Sequence, residues 1–134
     1  MPQLIFINLP VKDLEVSKAF FTKLGYTINP QFTDENAACV VISDTIYTML
    51  ITEPFFKQFT QKDIADATAT TEVLVCLTAD SREAVDQLVD TALASGGSPA
   101  NDTQEQGPMY GRSFQDPDGH IWEVMWMDPA AVQG

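Results

Sequence analysis

Apolar positions along this chain follow two alternating rhythms. From Gln3 to Val11 they alternate as a strand does, with Ile5, Ile7 and Leu9 on one face and Leu4, Phe6 and Asn8 on the other. The spacing then becomes helical. Asp13 reads as an N-cap, Val16, Phe20 and Leu24 recur every four residues with Leu14 and Phe21 beside them, and Gly25 closes the helix. Tyr26 to Phe32 reads as an edge or bent strand because it contains Pro30. Ala37 to Ile42 and Ile46 to Thr52 read as two more strands, joined by Ser43-Asp44-Thr45. In Glu53 to Ala69, Phe55, Phe56, Phe59 and Ile64 are mixed with Lys, Gln and Asp. One or two short helices or a lid-like loop fit this stretch. Its Phe cluster either covers a pocket mouth, forms a dimer seam or packs on the core.

The same rhythms then return. Glu72 to Thr78 reads as a strand. Asp80 reads as the cap of a second helix, with Glu83 three residues on in a capping-box position. Val85, Leu88, Val89, Ala92 and Leu93 form a stripe of helical period, and Gly96-Gly97 ends it. Ser98 to Pro108 is polar and turn-rich, with room for one short edge strand. Two aromatic-rich runs, MYGRSFQ and HIWEVMWM, then flank Asp116-Pro117-Asp118-Gly119, a hairpin signal in which Pro presets φ and Gly supplies φ > 0. Asp128 to Gly134 is a short tail. Strand, capped helix and three strands thus occur twice, and the two caps stand half the chain apart. This is a repeat of pattern rather than of letters. It predicts an α+β fold: two βαβββ modules, about 1–68 and 69–134, forming a curved mixed sheet around a concave cavity with the helices outside. A small-molecule site is expected in such a cavity.

Composition narrows the partners. The 134 residues carry 19 acids and 7 Lys or Arg, a net charge of −12, which argues against a nucleic-acid or anionic-membrane surface. No run of about 18 apolar residues and no charged-then-apolar leader is present. Cys39 and Cys76 lack the C-x-x-C spacing of a redox pair, so the expectation is two reduced thiols in a cytoplasmic protein.

Candidate chemistry centres on Glu123, the one acid inside an apolar strand. A carboxylate there must be paired, ligated or facing a wet cavity. Pairing points to Arg112, which shares a strand face with Tyr110 and Phe114, as a buried ion pair or a substrate clamp. Alternatively, in an apolar bowl lined by Phe6, Met49, Leu74, Ile121 and Met125, Glu123 would be a candidate general base. His120 is the only histidine. Three strand positions from Glu123, it faces the other way and reads as a turn-end residue that hydrogen-bonds locally. Trp122 and Trp126 alternate with Glu123 and read as packing under a helix.

Two motifs carry a family resemblance. Leu9-Pro10-Val11-Lys12-Asp13-Leu14, Ser17, Phe20-Phe21 and Leu24-Gly25-Tyr26 resemble the opening of the vicinal oxygen chelate superfamily, and Asp116-Pro117-Asp118-Gly119-His120-Ile121-Trp122-Glu123 resembles its closing signature. The superfamily includes glyoxalase I, extradiol dioxygenases, fosfomycin-resistance transferases and bleomycin-binding proteins. The chain is most similar to its small bacterial glyoxalase-like (PhnB-like) members. The resemblance implies paired βαβββ modules, a homodimer and a bowl-shaped cavity. In the metal enzymes of the superfamily, His or Glu residues from four strands hold a divalent ion. Glu123 matches the last ligand. An ungapped count places the others at Phe6, with Asn8 its nearest polar neighbour on that face, at Leu74, with Glu72 and Cys76 on that face, and at Met49. One ligand of four is no family-type site for a hard ion. The resemblance therefore implies a protein that binds a small organic ligand, with no cofactor, through Phe6, Asn8, Met49, Leu74, Tyr110, Arg112, Phe114, Ile121 and Met125. The alternative is a metal-dependent glyoxalase-like lyase or dioxygenase with Glu123 as ligand and base, a divalent metal ion then being the cofactor. A metal-free enzyme in which Glu123 abstracts a proton stays open as well.

Overall fold

A computed structural model describes residues 2–132; Met1 and the last two residues of the expected tail lie outside them. The chain is α+β and divides between Asp66 and Ala67 into two compact units, each with its own mixed sheet. Unit one runs β1 (Ile5–Val11), α1 (Leu14–Lys23), β2 (Thr27–Asn29), β3 (Ala37–Val41), β4 (Ile46–Thr52) and a short α2 (Glu53–Phe56) that continues as a 3-10 turn, Lys57–Phe59. Its strand order is β1-β4-β3-β2, with β1 parallel to β4 and the other pairs antiparallel. Unit two runs β5 (Leu74–Thr78), α3 (Arg82–Ala94), β6 (Ser98–Pro99), β7 (Gln104–Gln106), β8 (Met109–Gln115), β9 (Ile121–Met127) and α4 (Pro129–Val132). Its order is β5-β9-β8-β6, with β5 parallel to β9 and β7 also pairing with β8. The two units share one topology. No described helix is long and apolar enough to cross a membrane.

Alternation along the strands decides which side meets the helix. In unit one, Leu9 and Val11, Thr48 and Leu50, and Ala38 and Val40 are buried, as are Leu14, Ser17, Phe20 and Phe21 of α1. Val16 was expected in that stripe, but it is 50 % exposed. The inward line runs through Leu14, Ser17 and Phe20–Phe21, and Val16 stands about 100° around the helix from Ser17. In unit two, Val75, Phe114, Trp122 and Val124 pack with Val85, Val89 and Ala92 of α3. Trp122 is therefore under a helix, as its alternation with Glu123 implies.

Three local expectations are corrected. Ser81, not Asp80, caps α3: its Oγ accepts from the Ala84 backbone N–H at 3.0 Å. Glu83 then sits one position too early for a capping box. The strand expected over Tyr26 to Phe32 stops at Asn29, whose side chain accepts from Gln31 N–H at 3.0 Å and caps a 3-10 turn opened by Pro30. Ser98 to Pro108 holds two short strands rather than one, both against the outer edge of β8.

The hairpin turn is fixed more tightly than its letters imply. Gly119 has φ +92°, and a Cβ there would lie 2.8 Å from the Ala67 carbonyl oxygen. Only glycine tolerates both the backbone conformation and that approach.

Candidate functional site

Because Trp122 and Val124 are committed to α3, Ile121, Glu123 and Met125 emerge on the opposite face of β9. The register sets Cys76 of β5 and Ser113 of β8 on either side of Glu123. A cavity of about 240 Å³ opens over this row, with Asp102 and Gln104 on its rim and Met109 and Met125 in its wall. Ser113 anchors the rim: its Oγ accepts from Asn101 N–H at 2.8 Å and lies 3.2 Å from the Asn101 carbonyl, to which it can donate. Burial, and secondarily the charge of Glu123, push the Cys76 thiol above its usual pKa. Cys76 is thus held as a thiol, not a thiolate. Neither a hydrogen bond nor an ion pair engages the Glu123 carboxylate among the described residues.

The expected Arg112–Glu123 pair is not formed. Arg112 lies opposite Val124 in the register and therefore one residue out of phase with Glu123. It borders the cavity, but its guanidinium reaches α3, with Nη1 2.9 Å from Asp86 Oδ1 and Nη2 2.9 Å from Asp90 Oδ1. Tyr110 donates its hydroxyl to Asp86 at 2.5 Å and carries the Arg82 guanidinium 4.2 Å above its ring, while Arg82 pairs with Glu105 of β7. Phe114 is buried in the core. Tyr110 and Phe114, expected as ligand contacts, are turned to α3 and the core instead, while Arg112 stays on the cavity border with its guanidinium held by α3.

In unit one, Met49 takes the place that Glu123 holds in unit two. Thr48 and Leu50 face the core, so Met49 and Ile51 face away, with Asn8 and Cys39 level with Met49 on the neighbouring strands. A cavity of about 410 Å³ lies over them, closed by Phe55, Phe56 and Phe59. The Phe cluster thus does line a pocket.

Phe6 and Leu74 do not belong to either cavity. Phe6 pairs with Tyr47 and stacks on its ring, centroids 4.8 Å apart and planes 14° apart, and Leu74 pairs with Ile121. The residues level with Met49 and Glu123 are Asn8 and Cys76, two positions along from the ungapped count. The expected bowl of Phe6, Met49, Leu74, Ile121 and Met125 is corrected accordingly: Met49 lines one cavity, Met125 the other, and Phe6, Leu74 and Ile121 neither. Two-residue strand periodicity preserves the face but not the level, which only pairing sets. Ser113, Asp102 and Gln104 were missed. Ser113 was within reach of sequence reasoning, since closing a hairpin at Asp116–Gly119 counts it opposite Glu123.

In unit one Asn8 and Met49 offer an amide and a thioether, and in unit two Cys76 and Glu123 offer a thiol and one carboxylate. Neither pair fits a hard divalent ion, which takes several anionic oxygens or imidazoles. A second group, Asp116, Asp118 and His120, brings metal-binding atom types within 4.8 Å of one another. Asp116, however, is engaged at both oxygens. Oδ1 accepts from the backbone N–H of Asp118 and His120 at 3.0 and 3.1 Å, and Oδ2 accepts from Trp122 Nε1 at 3.0 Å. His120 is 2 % exposed, with Nδ1 2.7 Å from Glu72 Oε1. Its local hydrogen bond was expected; the long-range one to Glu72 was not. Burial raises the Asp116 pKa, against the opposing pull of His120 and these donors.

Comparison with known proteins places this geometry. The family described as bleomycin resistance protein-like N-terminal matches residues 3–43. A hypothetical protein, SA1046 from S. aureus, is 30 % identical, with 94 % of each chain covered and a TM-score of 0.79. A glyoxalase/bleomycin resistance protein/dioxygenase family enzyme from Burkholderia phytofirmans PsJN is 17 % identical over 94 % of this chain and 99 % of that one, TM-score 0.77. A bleomycin resistance determinant encoded on the transposon Tn5 is 19 % identical over 94 % and 98 %, TM-score 0.66. No curated protein matches the chain.

Proposed function

Because the chain belongs to the vicinal oxygen chelate superfamily of glyoxalases, bleomycin resistance proteins and dioxygenases, we propose that it binds a small organic molecule at the Glu123 cavity without a family-type metal ion. The observation that carries this reading is the unpaired Glu123 carboxylate in a cavity walled by Met109 and Met125. Asp102 adds a second acid at the rim, and the cation in the lining, Arg112, is spent on Asp86 and Asp90. Such a lining favours an organic cation, an ammonium or guanidinium carried on an apolar body.

A thermal-shift titration with a series of aryl-ammonium and aryl-guanidinium compounds tests it. Wild type gains stability, about 2.7 kcal/mol at a hundredfold excess over the dissociation constant. Chelator leaves the gain unchanged and Glu123→Gln removes it. The position of Glu123 at the end of the closing motif favours one other reading, a metal-dependent glyoxalase-like lyase or dioxygenase. Near-stoichiometric metal in untagged protein that vanishes in Glu123→Gln would replace the first reading with the second.

A homodimer belongs to the same proposal. It is supported by the exposed apolar side chains of Ile5 and Phe6 on edge strand β1 and of Leu74 on edge strand β5. Light scattering on the eluted protein checks it. The two unpaired thiols support a cytoplasmic setting.

A further inference from the structure

We propose that unit one carries a second ligand site, independent of Glu123, for a neutral, flat apolar molecule of one or two rings bearing a single hydrogen-bonding group. The residues of the Phe-lined cavity carry it. Met49 and Ile51 form the floor on β4, and Phe55, Phe56 and Phe59 close it from the segment that follows β4 directly. Pro54 at the start of α2 needs no partner for its missing N–H and presets the turn. The helical turn then brings Phe55 and Phe59, four residues apart, edge to face with centroids 5.2 Å apart and planes 88° apart. In the loop beyond them Lys57 Nζ lies 3.7 Å from Asp63 and donates to the Lys62 carbonyl at 3.3 Å, both contacts at the surface.

The lining itself selects the ligand. No charged residue borders this cavity, in a chain with 19 acids. A charged ligand would shed its hydration with nothing to replace it. Asn8 and Thr60 are the polar residues of the lining. The Thr60 hydroxyl accepts from Lys62 N–H at 3.1 Å, whereas among the described residues the Asn8 amide makes no hydrogen bond and is available to a carbonyl, hydroxyl or amide of the ligand. Phe59 is 66 % exposed at the cavity edge. A flat ring laid against Phe59 and Met49 would take that aromatic surface out of water and add ring and sulfur contacts. At about 410 Å³ the cavity lies at the lower end of small-molecule sites, as one or two rings require.

The test is a fluorescence titration of the 134-residue protein with 6-propionyl-2-(dimethylamino)naphthalene, a neutral, flat probe of two fused rings with one carbonyl, whose emission brightens and shifts to the blue in apolar surroundings. Wild type should show saturable, one-to-one enhancement. Phe59→Ala, at a solvent-exposed position, and Met49→Glu should each weaken binding about tenfold or more. Phe32→Ser, at an exposed Phe outside the cavity, and Glu123→Gln should leave it unchanged. Failure to saturate, or equal weakening by Phe32→Ser, would mean surface adsorption and overturn the proposal. Loss in Glu123→Gln but not in Phe59→Ala would put the probe in the other unit and overturn it equally. Should Met49→Glu not fold, Phe59→Ala decides alone.

Discussion

Met49 and Glu123 occupy the same place in two copies of one topology. Each lies on the strand between a parallel and an antiparallel neighbour, on the face turned away from its helix. Level with Met49 stand Asn8 and Cys39; level with Glu123 stand Cys76 and Ser113. Over the first pair of neighbours the chain builds an uncharged cavity roofed by phenylalanines, and over the second a smaller one with two carboxylates. The helix-facing layers did not diverge in this way: both are close-packed, mostly apolar layers under one helix. A packed core punishes any change of volume or polarity, whereas a face bordering a cavity accepts new chemistry at little cost in stability. The comparison therefore separates what holds each unit together from what each could bind.

The strongest way to break the comparison is to attack the shared layer. Trp122→Ala in unit two and Phe20→Ala in unit one should each cost about 3–5 kcal/mol in urea unfolding. A far smaller loss in either would deny that the two helix-facing layers are equivalent. Next comes the hairpin turn, whose counterpart in unit one, between β3 and β4, is made without glycine. Gly119→Ala meets the Ala67 backbone and should cost about 1–3 kcal/mol, whereas Gly25→Ala, also at positive φ but with open space around it, should cost only about 1 kcal/mol.

Exchanging the two central residues sharpens the contrast further. Met49→Glu places a carboxylate in an uncharged cavity and should cost about 1–3 kcal/mol. Glu123→Met removes an unpaired acid and should stay within about 0.5 kcal/mol of wild type by the same measurement. Equal costs would contradict the difference in cavity chemistry.

The smallest effect concerns the acid network on α3, where α1 carries a Glu15–Lys18 pair at the surface. The Tyr110 hydroxyl and the Arg112 guanidinium hold Asp86 below the usual carboxylate pKa. Its native form therefore binds fewer protons than the unfolded chain in acid. The resulting stability is present above the unfolded Asp value and lost as pH falls through the depressed one. Tyr110, raised mainly by its bond to Asp86, has the opposite sign: its contribution is present below the usual tyrosine value and lost as pH rises through the native one. Asp86→Asn should flatten the acid limb of the stability profile by less than about 1 kcal/mol, since the pair is solvent-screened. It should also bring Tyr110 titration, followed by ultraviolet absorbance, back toward that of free tyrosine.

Much of the architecture was legible from spacing. Alternation from Ile5 to Val11, the stripe from Val85 to Ala92 and the Pro-Asp-Gly turn are local signals, and local sterics translate them directly into strand, helix and hairpin. The errors share one origin. Placing Phe6 and Leu74 beside Met49 and Glu123 needed the register between strands remote in sequence, and letters give the face of a strand without its level. Pairing Arg112 with Glu123 needed the phase of β8 against β9, as well as the presence of Asp86 and Asp90 above it on α3. Ser81 displaced Asp80 as a cap because two good capping residues stood side by side, and the packing of Val85 and Val89 chose between them.

By itself, then, the sequence determined the α+β class, the doubled strand–helix–strand pattern, the burial of Trp122 and the isolation of Glu123 among apolar neighbours. All of these follow from period and propensity within a few turns of chain. Tertiary structure alone decided that Glu123 stands unpaired between Cys76 and Ser113, that Arg112 serves α3, and that three phenylalanines roof Met49. Those outcomes depend on hydrogen-bond register and on which remote side chains meet, and neither is encoded in the spacing of any one segment.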